Sequence, residues 1–260
     1  MHPILLRVGP FTLYSYGAML VVAFLTSTWL AGRAARQLPS KLRAINAEQL
    51  VDFFCVALLG GILGGRLLYV ALHWAYFAQA PLELLAIWHG GLVWYGGFVG
   101  GFLGGWLYAR RHRLVFLRVL DQGIPFLVLG HAMGRVGCFL NGCCYGKPTD
   151  AWCGVIFPGQ TVALLPTQLF ETVGLLILYV VLRRLQQPSL LRSPGRVFGV
   201  YLVSYGVLRF VLEWFRGDQV SSWMGLTLQQ LISVVVSIVG LMLLLRAVNL
   251  TPVTHSPNRS

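Results

Sequence analysis

The chain has 260 residues, 57% of them hydrophobic and 11% charged, with a mean hydropathy of +0.71. One soluble domain of this length could not hide that much apolar surface, so composition excludes an ordinary soluble enzyme and points to an all-α, polytopic membrane protein. A net charge of +12 would suit nucleic acid, but the basic residues are placed along the chain in a way that excludes that partner.

Seven apolar segments approach the roughly 20 residues a helix needs to cross the hydrocarbon core: 11–31, 50–74, 91–109, 119–136, 168–186, 196–215 and 225–246. The first is too long, and too polar in its flanks, for a cleavable signal peptide and is expected to stay as a helix. Fourteen of the twenty Lys and Arg fall in alternate loops: those between segments 1 and 2, 3 and 4, and 5 and 6, and the stretch beyond segment 7. The opposite side has only Arg7, Lys147 and Arg216, and Arg66, Arg135 and Arg209 stand inside segments. By the positive-inside rule the N-terminus lies outside and the C-terminus in the cytoplasm, so the basic loops record orientation. The whole of 1–260 reads as one integral membrane domain.

The chain opens with a short outer arm, and Tyr14, Tyr16 and Gly17 follow at the outer end of segment 1, where aromatic rings commonly form an interfacial belt. Segment 2 carries Gly60, Gly61, Gly64 and Gly65 at a spacing that lets another helix approach closely, and then Arg66. Arg66 suits lipid binding or simple snorkelling to the headgroups equally. The next loop leads into His89, Gly90 and Gly91, where glycine lets the backbone turn sharply, and then into the aromatic pair Trp94 and Tyr95. His89 reads equally as an interface residue or as a group with a chemical role. Gly97, Gly101 and Gly105 again favour close helix packing.

Segment 4 closes in the stretch Gly130 to Gly146, which holds a histidine, an arginine, an asparagine, three cysteines and five glycines where a plain span would carry Leu and Val. Arg135 is its costly member: an arginine at membrane depth costs roughly 2.5–3.5 kcal/mol on insertion scales, and a negatively charged ligand would compensate it. Residues 139–167 then form a small irregular outer head, rich in turn residues. The spacing of Cys138, Cys143, Cys144 and Cys153 lacks the CxxC pairs of zinc sites, so no metal is expected, and adjacent cysteines seldom bridge each other.

Pro166 and Thr167 open segment 5 with ordinary helix-start chemistry, Thr167 reading as the cap. Gln168 and Glu171, three apart, share a helix face and project polar groups beside the membrane. In segment 6, Tyr205, Arg209, Glu213 and Arg216 recur at helical spacing, so they form one polar stripe that must face protein or water. Arg209 and Glu213 also suit a mutual i,i+4 pair. Segment 7 reads as plain scaffold.

The run G-R-V-G-C-F-L-N-G-C-C-Y-G, together with H-G-G-L-V-W-Y-G-G, P-T-Q-L-F-E and Y-G-V-L-R-F-x-x-E-x-x-R, resembles the marked segments of the prolipoprotein diacylglyceryl transferases, in the same order and over the whole chain. The resemblance implies seven spans and an outward N-terminus. It also implies transfer of a diacylglyceryl group from phosphatidylglycerol to the lipobox cysteine in the signal peptide of a preprolipoprotein, with a thioether formed and glycerol-1-phosphate released. By position, His89, Arg135 and Arg209 match the catalytic residues, His89 as the base. Tyr16, Asn141, Gly146, Tyr205, Glu213 and Arg216 match other signature positions, and Arg66, Tyr95, Gln168 and Glu171 complete the expected substrate-binding set. Two positions depart from the pattern: Cys138 stands where some members have asparagine, and Leu165 where a histidine is frequent.

The expected enzyme is a monomer in the bacterial inner membrane, among membrane lipids, with its site near the outer leaflet and no cofactor. The eight acidic residues are scattered, which offers no carboxylate cluster for Mg²⁺, and no G-x-S-x-G elbow is present. The competing class is an anion or lipid transporter using the buried arginines, for which inverted repeats would be the sign.

Overall fold

The computed structural model describes residues 3–8, 11–86, 90–187, 191, 193–217, 221–223 and 225–249. In chain order these form strands β1 (Ile4–Val8) and β2 (Phe11–Tyr14), helices α1 (Ser15–Gln37), α2 (Ala47–Leu72) and α3 (Trp74–Phe77), and a 3-10 turn at Pro81–Leu85. Helices α4 (Trp94–Arg111), α5 (Phe116–Asn141), α6 (Thr167–Leu185) and α7 (Arg196–Glu213) follow, then β3 (Ser221–Trp223), β4 (Leu226–Thr227) and α8 (Leu228–Asn249). The protein is mostly helical, with one correction to an all-α reading: β1 pairs with β2, and β3 with β4, as short antiparallel hairpins.

A long helix occupies each of the seven apolar segments. Four are long and apolar enough to cross a membrane by length and composition: α1, α2, α5 and Leu228–Ala247 of α8. The other three are less apolar because of what they carry. Glu171, Arg183 and Arg184 lie in α6, Arg196, Arg209 and Glu213 in α7, and glycines run through α4. Apolar side chains such as Leu63, Leu67, Val235 and Leu245 are exposed, whereas Asp121, Gln168, Glu171, Glu213 and Gln230 are buried. Polar groups inside and apolar groups outside are what a lipid solvent selects.

The chain forms two compact units, Ala31–Val119 and Met1–Leu30 with Leu120–Ser260, whose limits fall within α1 and α5. In the first, Asn46 caps α2: its side chain accepts from the Gln49 amide at 2.7 Å, and the Gln49 side chain accepts from the Asn46 amide, a reciprocal capping box. Helices α2 and α4 cross on glycine. A Cβ placed on Gly60 would lie 2.6 Å from the Gly100 carbonyl oxygen, and one on Gly64 would lie 2.8 Å from the Gly100 Cα. The expected small-residue contact is therefore backbone against backbone.

In the second unit, Pro125 lies inside α5 and has no N–H to give the Asp121 carbonyl one turn back. Gln186 supplies the donor, its Nε2 lying 2.7 Å from that oxygen. The Asp121 carboxylate accepts the Gly195 amide at 2.6 Å and the Phe198 amide at 2.8 Å, which places a negative charge at the start of α7. Thr172 of α6 donates to Gln168 within its own helix and to Ala132 of α5, at 2.8 and 3.4 Å. Gly206 of α7 packs against Ser233 and Ser237 of α8, where a Cβ would lie 2.8 Å from the Ser233 carbonyl. These contacts fix α5, α6, α7 and α8 as the frame of the polar centre.

Candidate active site

The centre is built on the facing sides of α5, α6 and α7. Arg135 of α5 places Nε 3.0 Å from Oε2 of Glu171 of α6, an ion pair, and His131, one turn earlier on α5, sets Nε2 3.5 Å from Oε1 of the same carboxylate. Glu171 is 3% exposed, so it is a buried charge shared between two partners. Glu171 therefore supplies, from within the protein, part of the compensation that Arg135 needs.

Arg209 and Glu213 of α7 form the i,i+4 pair, with Nη2 and Oε2 2.7 Å apart, and the hydroxyl of Thr227 donates to Oε1 of Glu213 at 3.0 Å. Tyr205 lies one turn before Arg209, its ring edge-on to His131 at 5.5 Å between centroids and stacked on Tyr201 at 5.7 Å. His131 and Tyr205 each lie within electrostatic reach of Arg135, Arg209 and Glu171. Two arginines from two helices therefore converge on one tyrosine and one histidine. Each pair involves one guanidinium nitrogen, and each Arg side chain keeps a little exposure, 16% for Arg135 and 13% for Arg209. A guanidinium has five N–H donors, so both retain donors for an anion.

The C-terminal end of α5 is organised by the residues that follow it. Helix α5 ends at Asn141, and Gly142 takes a positive φ of 75° that lets the Cys143 amide turn back to the Cys138 carbonyl at 3.1 Å. Thr167 is the first residue of α6 and not its cap: its hydroxyl donates to the Cys144 carbonyl at 3.0 Å. Gln168, 1% exposed, donates from Nε2 to the Cys143 carbonyl at 2.5 Å. Gly146 donates to the Leu165 carbonyl at 2.8 Å and bridges Arg216, while the Lys147 amide reaches the Phe215 carbonyl at 2.9 Å. A Cβ on Gly146 would lie 2.5 Å from the Phe215 carbonyl oxygen, so the close approach of these three strands of chain requires glycine. Tyr16 of α1 is 38% exposed and its ring lies against Gly137 of α5.

The structure thus brings Arg135, Glu171, Tyr205, Arg209 and Glu213 together, with Asn141 at the C-terminal end of α5, Gln168 at the start of α6, Gly146 bridged to Arg216 beyond α7, and Tyr16 at the start of α1 beside α5. It adds His131, Tyr201 and Thr227, which the sequence reading gave no role. His131 was visible as the residue four before Arg135, hence on the same helix face. Thr227 was not legible, because the turn that returns it to Glu213 has no periodic signal.

The other unit holds Arg66 and Tyr95. Arg66 is buried, which removes the snorkelling alternative. Its guanidinium donates to the carbonyls of Leu84 at 3.1 Å, Ala86 at 3.3 Å, Gly90 at 2.7 Å and Gly91 at 3.2 Å, and to that of Glu83, and it lies over the rings of Tyr69 and Phe77. These acceptors flank both sides of 87–89, and His89 itself lies outside the described residues. Tyr95 is exposed, its ring edge-on to Trp94 at 5.3 Å.

All five cysteines, Cys55, Cys138, Cys143, Cys144 and Cys153, are free thiols. Three of them, Cys138, Cys143 and Cys144, place their sulfurs within 4.8 Å of one another, an arrangement their sequence spacing did not suggest.

A family model described as prolipoprotein diacylglyceryl transferase matches residues 3–246 of this chain. Among curated proteins the chain is similar to the phosphatidylglycerol–prolipoprotein diacylglyceryl transferase of Clostridium tetani, at 34% identity over 93% of this chain and 96% of the relative. It is also similar to proteins of the same name from Photobacterium profundum, at 33% identity over 97% and 95% of the two chains, and from Aromatoleum aromaticum, at 38% over 82% and 81%.

Proposed function

Because the chain belongs to the prolipoprotein diacylglyceryl transferase family, we propose that the paired arginines of α5 and α7 hold the headgroup of phosphatidylglycerol while its diacylglyceryl group passes to a prolipoprotein. The protein transfers that group from phosphatidylglycerol to prolipoprotein, the first step of lipoprotein maturation. The convergence of Arg135 and Arg209 on His131 and Tyr205 carries the assignment of the site.

In this reaction the lipobox thiolate of the signal peptide attacks the glyceryl carbon next to the phosphate. A carbon–sulfur bond forms, the carbon–oxygen bond breaks, and glycerol-1-phosphate leaves with the bonding electrons. The leaving phosphate gains negative charge as the bond breaks. Guanidinium donors held ready in a site of low dielectric stabilise that charge more in the transition state than in the ground state. Glu171 and Glu213 fix the two arginines through one nitrogen each and leave the other N–H groups for phosphate oxygens.

The thiol, with an ordinary pKa near ~8.5, must lose its proton to react. His89 is the proposed base, and Arg66 would act by holding the backbone on either side of it. A second reading has a specific observation behind it: His131 is already seated on Glu171 and lies within reach of both arginines. The pH–rate profiles of His89→Gln and His131→Gln separate the two, since only loss of the base removes the acidic limb, along which the rate rises as the base loses its proton.

Tyr16, Asn141, Gly146, Gln168, Tyr205 and Arg216 are proposed to shape the lipid and peptide sites around this centre, and Tyr95 is proposed as a further substrate-binding residue. All seven long helices are read as spans of one monomeric domain in the bacterial inner membrane, N-terminus out and C-terminus in, with residues 139–167 as the outer head and the site near the outer leaflet. The test is purified protein with phosphatidylglycerol vesicles and a lipobox peptide, watched by mass spectrometry for the diacylglyceryl adduct.

A further inference from the structure

We propose that Cys138, Cys143 and Cys144 form a trigonal thiolate site for a monovalent, thiophilic cation of the Cu(I) class. The three sulfurs lie within 4.8 Å of one another, and the Cys143 and Cys144 sulfurs are 3.7 Å apart. Metal–sulfur bonds of about 2.3 Å in a planar trigonal arrangement put the sulfurs about 4 Å apart. The thiols therefore need only small side-chain rotations to share one ion.

The backbone is already fixed in the binding geometry. Cys138 is on the last turn of α5, the Cys143 amide is hydrogen-bonded back to it, and α6 holds the next two carbonyls through Gln168 and Thr167. Cys144 takes a φ of 64°, which non-glycine residues seldom adopt, and this turns its side chain back toward Cys143. A site preformed by hydrogen bonds and helix ends loses little freedom on taking up an ion.

The donor set decides the class of metal. Thiolates are soft ligands and select Cu(I) and Zn²⁺ over the hard cations. Structural zinc takes four ligands in a tetrahedron, whereas among the described residues no His, Asp or Glu joins the three cysteines. Three sulfurs and no fourth protein ligand suit Cu(I). Binding exchanges the thiol protons for the ion and releases them to solvent, with no change of oxidation state. Three thiolates and one Cu(I) carry a net charge of −2, and Arg135 and Arg216 lie within electrostatic reach of Cys144 to balance it. One consequence rests on the transferase reading: a loaded centre competes with phosphate for Arg135 and inhibits transfer.

The test is anaerobic titration of the full-length protein in detergent with Cu(I) buffered by a chromophoric chelator, followed by X-ray absorption at the copper edge. The expected result is one equivalent per chain with three sulfur neighbours, lost in Cys143→Ser and in Cys144→Ser and retained in Cys153→Ser. The absorption spectrum of the unsubstituted protein decides the ligand set even if a variant misfolds. Absence of binding, nitrogen or oxygen neighbours in place of sulfur, binding that survives Cys143→Ser/Cys144→Ser, or displacement of Cu(I) by equimolar Zn²⁺ would each overturn the site. Binding with these properties but no inhibition of transfer would retain the metal site and refute only its link to Arg135.

Discussion

Arg135 and Glu171 form an ion pair 3.0 Å long between α5 and α6, with the carboxylate almost wholly buried and shared with His131. Arg135 is thus held by the protein before any lipid arrives. The pair separates two roles that a single substitution confounds, compensation of charge and recognition of phosphate.

Breaking one side of a buried pair leaves an unmatched charge and typically costs about 3–5 kcal/mol. Arg135→Ala and Glu171→Ala are each expected to lower the melting temperature in detergent, and the double variant to recover most of that loss. Transfer stays abolished in the double variant, because the phosphate contact is still missing. Thermal melts beside adduct formation check both parts.

For the second arginine the support runs through Thr227, whose hydroxyl donates to Glu213. Thr227→Val removes the hydrogen bond to a charged acceptor, worth about 1.5–3 kcal/mol, and also the hydroxyl that accepts the Gln230 amide at 3.2 Å. A fall in the rate of transfer, smaller than the complete loss expected for Arg209→Ala, is the predicted outcome in single-turnover assays.

Arg66 makes its contacts in a fork that lysine cannot reproduce. Arg66→Lys is therefore expected to lower transfer strongly even though charge is conserved. If Arg66 serves His89, His89→Gln lowers the rate more than it weakens phosphatidylglycerol binding, and the doubly substituted protein is scarcely slower than the slower single variant. Additive losses would show that the clamp acts elsewhere.

The contact of Gly60 and Gly64 with Gly100 leaves no space for a methyl group. Gly100→Ala is expected to cost about 1–3 kcal/mol through overpacking, while Gly90→Ala, where space is open but φ is 85°, acts through backbone strain alone. Unfolding in denaturing detergent ranks the two.

Much of the helical frame was legible because hydropathy and small-residue spacing act locally. The apolar run 50–74, within which α2 ends at Leu72, and the glycines of α2 and α4 speak for themselves. Likewise, Arg209 and Glu213 were readable as a pair because four residues along a helix is one turn. The partner of Arg135 was not, since Glu171 is thirty-six positions away and only the docking of α6 on α5 joins them. The cysteine cluster was hidden for a similar reason: a glycine-terminated helix and a positive φ at Cys144 close it, and neither has a spacing rule. The β-hairpins escaped notice because two to five residues are too few for a periodic signal.

The most direct test of the central claim is phosphatidylglycerol-dependent adduct formation on a lipobox peptide by purified Arg135→Ala and Arg209→Ala proteins, with folding verified by thermal melt. Loss of the thioether adduct in both folded variants, with weakened retention of phosphatidylglycerol, is the predicted result. Adduct formed at the unsubstituted rate by either variant would contradict the assignment of these guanidinium groups to the phosphate.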